Sequence, residues 1–232
     1  MSLFIILILG ITAFYLLSKL AKTSKFQILG ELITHVKTND KLVALTYDDG
    51  PNPATTKNLL RLLERSSVKA TFFVIGKNVE QYPDVVKLIV AGGHELGNHS
   101  YSHPKMIWRQ PGFIKAEINH SEQLLRQLGV NQEIHFRAPY GIKLFILPYI
   151  LLLMKKKSIS WNIDPKDYQE SNPEAIANYI LKQVSPGSII LLHDCEGDRS
   201  ATIAATEIVI QQLHSQGYQF KTVSELLQSA KN

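Results

Sequence analysis

Leu42-Val43-Ala44-Leu45-Thr46-Tyr47-Asp48-Asp49-Gly50-Pro51 is the stretch whose reading decides the fold. Its first half is an uninterrupted apolar run, the pattern of a buried strand. Its second half places two adjacent carboxylates at the end of that strand, ahead of a Gly-Pro turn. Downstream, His99-Ser100-Tyr101-Ser102-His103-Pro104 sets two imidazoles four apart. If the two segments meet, one carboxylate and two imidazoles make three protein ligands. That is the number a hydrolytic metal site uses when it keeps a position open for water. The remaining carboxylate is then a candidate base. Neither segment carries this alone, because Asp-Asp-Gly-Pro is commonly a turn and many HxxxH pairs bind nothing.

Outward from that stretch, strand-like and helix-like segments alternate. Apolar runs at 70–75, 134–137, 159–163, 188–192 and 219–220 read as strands. Helical spacing marks 54–64, the segment opened by Pro83, 113–128, 173–184, 201–216 and 223–227. Leu144 to Met154 reads as a core helix, since Pro148 interrupts it and it is far shorter than a membrane span. Repeated β-α alternation predicts a parallel sheet with helices outside it. In such folds the chemistry sits at the C-terminal ends of the strands. Every motif singled out here falls at such an end.

The 232 residues suit one large domain plus a short appendage, at 45% hydrophobic and 19% charged. The net charge of +5 comes without basic runs interleaved with aromatics, so nucleic-acid binding is not supported. Cys195 is the single cysteine, which excludes an intrachain disulfide and a multi-cysteine zinc site. Residues 1–18 carry no charged side chain, and Lys19, Lys22 and Lys25 follow. Residues 1–22 are therefore expected to be an uncleaved membrane anchor or signal-anchor helix, and 23–40 a connector with some helical character. Residues 41–230 are expected to form the large domain. The lysines after the span would hold that domain in the cytoplasm by the positive-inside rule.

Three further segments complete the set: Arg137-Ala138-Pro139-Tyr140-Gly141, then Trp161-Asn162-Ile163-Asp164-Pro165-Lys166-Asp167-Tyr168, then Leu191-Leu192-His193-Asp194. With five motifs in this order, the chain resembles the polysaccharide deacetylase family, the NodB-homology domain. The resemblance implies a distorted (β/α) barrel, usually of seven strands. It implies Asp49, His99 and His103 as ligands of a divalent metal, commonly zinc, with cobalt, nickel or manganese as alternatives. Asp48 is then the base for the attacking water, and His193 the acid for the leaving amine. Asp167 pairs with His193, and Arg137 orients Asp48. The Tyr140 backbone N–H faces the oxyanion, while Leu191 and Trp161 wall the acetyl pocket. Tyr47 and Tyr168 depart mildly from the family pattern, which usually has Phe and Trp there.

The function implied is removal of N-acetyl groups from N-acetylglucosamine in peptidoglycan or a chitin-like oligosaccharide. A deacetylase or deformylase of a lipid-linked amino sugar is the alternative, and an inactive glycan-binding module the reading from another class. The substrate argument favours an extracytoplasmic domain, against the lysines. Asp164 reads as a turn former, Asp194 as a supporting or capping group, and Cys195 as a packing residue.

Overall fold

The computed structural model describes residues 26–229 together with Ile5, Leu7–Leu9, Ile11, Thr12, Tyr15, Lys19 and Thr23. Seven strands are found among these residues: β1 (Leu32–Ile33), β2 (Leu42–Asp48), β3 (Thr71–Val74), β4 (Glu95–Asn98), β5 (Ser158–Ile159), β6 (Ile189–His193) and β7 (Gln219–Phe220). The helices are α1 (Thr55–Arg65), α2 (Gly76–Gln81), α3 (Pro83–Ala91), α4 (Pro111–Gln127), α5 (Ile146–Leu153), α6 (Pro173–Gln183), α7 (Ser200–Ser215) and α8 (Val223–Ser229), with a 3-10 turn at Pro139–Gly141.

All ladders are parallel. The main sheet runs β4-β3-β2-β6, with β7 also paired to β2, and β1 pairs separately with β5. Every residue of β2 is buried. That is the burial its apolar run requires of a strand covered on both faces. Helices α1, α3, α6 and α7 pack their apolar stripes on one side of this sheet in a single large core. A second cluster beneath the sheet joins Ala44, Phe73 and Ile189 to Val223 and Leu226 of α8.

The expected barrel is not closed by continuous ladders. Beyond β4 the sheet continues through isolated bridges, Asn98 to Phe136 and Phe136 to Ser158, and the two-residue β1–β5 ladder, and it returns to β6 through Ile163 to Ile190 and an antiparallel bridge from His35 to Ser188. Side chains replace backbone at the seam: Asn162 Oδ1 accepts from the Ile189 N–H at 2.8 Å, where a regular ladder would present a carbonyl. The strands expected at 134–137 and 159–163 are accordingly shorter than their apolar runs.

One expectation at the N-terminal side needs revision. The stretch expected as a partly helical connector supplies β1, and Val36 N–H bonds Gly187 carbonyl at 2.9 Å. The membrane anchor expected at 1–22 falls mostly outside the described residues. Among the described residues no helix is long and apolar enough to cross a membrane.

Candidate metal centre and active site

The C-terminal ends of β2, β3, β4 and β6 meet at one edge of the sheet. Register places Asp48 opposite both Phe73 and His193, and Val74 opposite Asn98. The segments that were far apart in sequence therefore arrive together because parallel strands deliver their ends to the same side.

Asp49 takes a left-handed backbone (φ 72°) just past β2, as do Ser100 (φ 65°), His103 (φ 55°) and Tyr140 (φ 59°). Four non-glycine residues in this costly conformation surround one point, and such strain concentrates at functional sites. The histidine loop is held from several directions. Asn98 Oδ1 accepts from the Ser100 N–H at 2.8 Å, and Ser100 Oγ accepts from the His103 N–H at 3.0 Å. Glu117 on α4 accepts from the N–H groups of Tyr101 and Ser102 at 3.1 and 2.8 Å, and from the Ser102 hydroxyl.

Asp49 Oδ1 lies 3.1 Å from His103 Nε2 and 3.4 Å from His99 Nε2, and the three ligand atoms all fall within 4.8 Å of one another. Bonds of 2.0–2.1 Å to a tetrahedral ion put neighbouring ligands about 3.3 Å apart, so this donor set is spaced to hold a divalent metal ion. His99 Nδ1 donates to the Arg137 carbonyl at 2.9 Å, which leaves Nε2 as the lone-pair nitrogen facing Asp49. Burial lowers the His99 pKa to about 3, against the pull of Asp49, so the ring is neutral as a ligand must be. Asp49 Oδ1 is buried with no hydrogen-bond partner. A carboxylate oxygen orphaned between two imidazole nitrogens matches a cation site.

Asp48 is buried and bonds Arg137 Nη1 at 2.6 Å, with His99 Nε2 at 3.7 Å. Burial raises its pKa, opposed by the Arg137 charge. Arg137 is itself fully buried, donating to Thr46 Oγ1 at 2.7 Å and to the carbonyls of Ile159 and Ser160, over the Phe73 ring at 3.9 Å. It is fixed on all sides, and with it Asp48.

His193 Nδ1 bonds Asp167 Oδ1 at 2.8 Å, while Asp167 Oδ2 accepts from the His193 N–H and the Thr202 hydroxyl, both at 2.9 Å. Burial lowers the His193 pKa, but the Asp167 hydrogen bond and the charges of Asp167, Asp48 and Asp49 outweigh it and raise the value to about 9. Asp194 lies under the Asp48-Asp49-Gly50 turn, bonded to Thr56 Oγ1 at 2.6 Å, and burial lifts its pKa to about 7. A Cβ on Gly50 would stand 2.4 Å from the Asp194 carboxylate oxygens, so the turn has room for glycine alone.

Asp48, Asp49, His99, His103 and His193 line a cavity of about 310 Å³ with Tyr140, Trp161, Asp164, Tyr168, Leu191 and Cys195. A larger cavity of about 550 Å³ between α1 and α3 contains none of them. Asp164 accepts from the Lys166 N–H at 3.0 Å, the turn expected of it, and it also faces the cavity. Burial raises the Cys195 pKa, which disfavours the thiolate that a nucleophile needs.

Sequence reasoning missed Glu117. Its signal was a lone carboxylate among Ile114, Ile118, Ser121 and Leu125 on the buried face of α4.

Residues 35–156 match the model of the family described as polysaccharide deacetylase. A peptidoglycan-N-acetylglucosamine deacetylase of Bacillus cereus is 36% identical over 203 residues, covering 85% of this chain and 93% of that protein. The chain belongs to the polysaccharide deacetylase family. A chitooligosaccharide deacetylase of Azorhizobium caulinodans is 32% identical to this polysaccharide deacetylase, over 82% of this chain and 96% of the relative. The solved structure of the Bc1960 peptidoglycan N-acetylglucosamine deacetylase superposes with a TM-score of 0.82 at 32% identity, covering 85% of this chain and 93% of that one. Family membership makes this deacetylase a metal-dependent hydrolase of N-acetyl amides.

Proposed function

We propose that the chain removes N-acetyl groups from N-acetylglucosamine units of peptidoglycan or a chitin-like oligosaccharide. The observation that supports this best is the placement of Asp48 and His193 side by side on β2 and β6, next to the cluster of Asp49, His99 and His103. A divalent ion held by those three residues, zinc being the best fit, supplies Lewis-acid chemistry that acidifies water and polarises a carbonyl.

The protein's own groups do the rest. Asp48, held by the Arg137 guanidinium that favours its carboxylate form, takes a proton from the attacking water as its oxygen bonds to the acetyl carbon. The Tyr140 backbone N–H faces the developing oxyanion, a contact that typically contributes about 3 kcal/mol. His193, kept protonated by Asp167, gives its proton to the amine nitrogen as the carbon–nitrogen bond breaks. Acetate and a free amino sugar leave. Leu191 and Trp161 wall the space for the acetyl methyl.

An inactive glycan-binding module has no use for a base and an acid beside three ligands. The domain, residues 41–230 with the strand that precedes it, works outside the cytoplasmic membrane in this reading, with residues 1–22, uncharged through residue 18, as its attachment. Acetate release from acetylated chitooligosaccharide and from peptidoglycan, measured with and without chelator, tests the reaction. Activity that survives complete metal removal would overturn it. Formylated and lipid-linked amino sugars in the same assay decide whether the substrate is polymer or lipid-borne. Protease accessibility of the domain in intact cells tests the location.

A further inference from the structure

Helix α5 is apolar all round, yet only half of it is covered. Leu147, Ile150 and Leu151 pack inward against Ile114, Ile118 and Phe136, while Phe145, Tyr149, Leu152 and Leu153 are 43–54% exposed. Four large side chains left in water along two turns are more than scattered surface residues. The patch also extends on both sides. Trp108, 67% exposed on a left-handed backbone (φ 60°), shares a small crevice with Leu144 and Phe145. On the other side, Gly30 runs so close to α5 that a Cβ there would meet Leu152 and the Pro148 carbonyl at 3.7 Å, which brings the exposed Phe26, Ile28 and Leu29 alongside.

The charges around this face are mostly positive: Lys105, Arg109 and Lys155 are exposed at its edges, with Glu31 the acidic neighbour. Lys143 donates to the Thr23 carbonyl at 2.8 Å and so ties the chain at Thr23 to the same face. Upstream of it the described residues Ile5, Leu7, Leu9, Ile11 and Tyr15 are helical and exposed. An apolar face with an aromatic at its edge, a cationic rim and an apolar segment arriving beside it has the chemistry of an interfacial membrane surface.

We propose that this face lies in the headgroup and upper acyl layer of an anionic phospholipid bilayer. The assignment does not depend on the deacetylase reading or on residues 1–22 spanning the membrane. It sets the mouth of the catalytic cavity near the lipid surface, because Lys105 stands 5.7 Å over the Tyr140 ring at the cavity wall.

The test uses the full chain with vesicles of phosphatidylcholine and phosphatidylglycerol, part of the phosphatidylcholine brominated high on its acyl chains. Bromine quenches tryptophan only at contact. Trp108 emission is expected to be lost in the brominated vesicles, and Trp108→Phe to remove the quenchable signal, leaving that of Trp161. The combined Phe145→Ser, Leu152→Ser and Leu153→Ser variant should restore Trp108 emission while acetate release from a soluble oligosaccharide is unchanged. A chain that co-sediments with vesicles while Trp108 stays unquenched is attached by its N-terminal stretch alone, and overturns the proposal. So does a chain that ignores the vesicles. An apparent mass of a dimer that the serine variant reduces to a monomer, without quenching, assigns the face to a second copy and equally overturns it.

Discussion

Asp48 and Asp49 are neighbours in sequence with opposite surroundings. The first ends a strand and is locked to Arg137; the second has turned into the left-handed region and points an unpaired oxygen at two imidazoles. Asp48→Asn should therefore reduce acetate release by about 10²–10⁴-fold with metal still bound, as read by metal analysis of the purified variant. Asp49→Ala should lose the metal itself, and if the two phenotypes are exchanged the split of roles is wrong. His193 gives a pH prediction of definite sign. Its pKa is raised to about 9, so its proton is present at neutrality and the rate should fall on the alkaline side near that value. Asp167→Asn removes the main cause, and the alkaline limb of the kcat/KM profile should move down by on the order of one to two pH units. The same pair contributes stability that is full below about pH 6.5 and fades as the pH rises toward 9.

At the scale of elements, the loops are held by groups that lie on helices. Glu117 of α4 satisfies two N–H groups of the histidine loop, so Glu117→Ala should cost about 1–3 kcal/mol in denaturant melts. Metal affinity should drop with it, by about 10- to 100-fold. The strand ends and the five motifs were legible because apolar runs and ligand types announce themselves locally. Strand β4 was not, since Glu95-Leu96-Gly97-Asn98 holds few strand-favouring residues. It is a strand because Gly97 lets the Phe73 ring lie against its backbone, where a Cβ would sit 2.4 Å from the ring. Helix α2 and strand β1 escaped for a related reason: each is short and stabilised by tertiary contacts rather than by its own pattern. Arg137 and Asp194 were legible as residues, but their complete burial was not, because it depends on partners from distant segments.

For the whole molecule, metal and fold should be linked. Chelation should lower the melting temperature as well as stop turnover, because a ligand at a thousandfold excess over its Kd adds about 4 kcal/mol. Zinc added back should restore both. A chain whose melting temperature ignores chelator would not use Asp49, His99 and His103 together. The pairing of Asp48 with His193 across β2 and β6 has a different kind of consequence. Neighbouring strands are spaced about 4.8 Å apart by their hydrogen bonds, so the gap between the backbones that carry Asp48 and His193, the proposed proton acceptor and donor, is a property of the main chain. Side-chain substitution leaves that strand spacing unchanged, and a slip of one residue in either strand would turn that strand's own group to the other face. The sheet works as a fixed gauge, cut for reactions in which a single carbon takes an oxygen on one side and releases a nitrogen on the other. Diversity among enzymes built on it is confined to what the loops admit to the gauge.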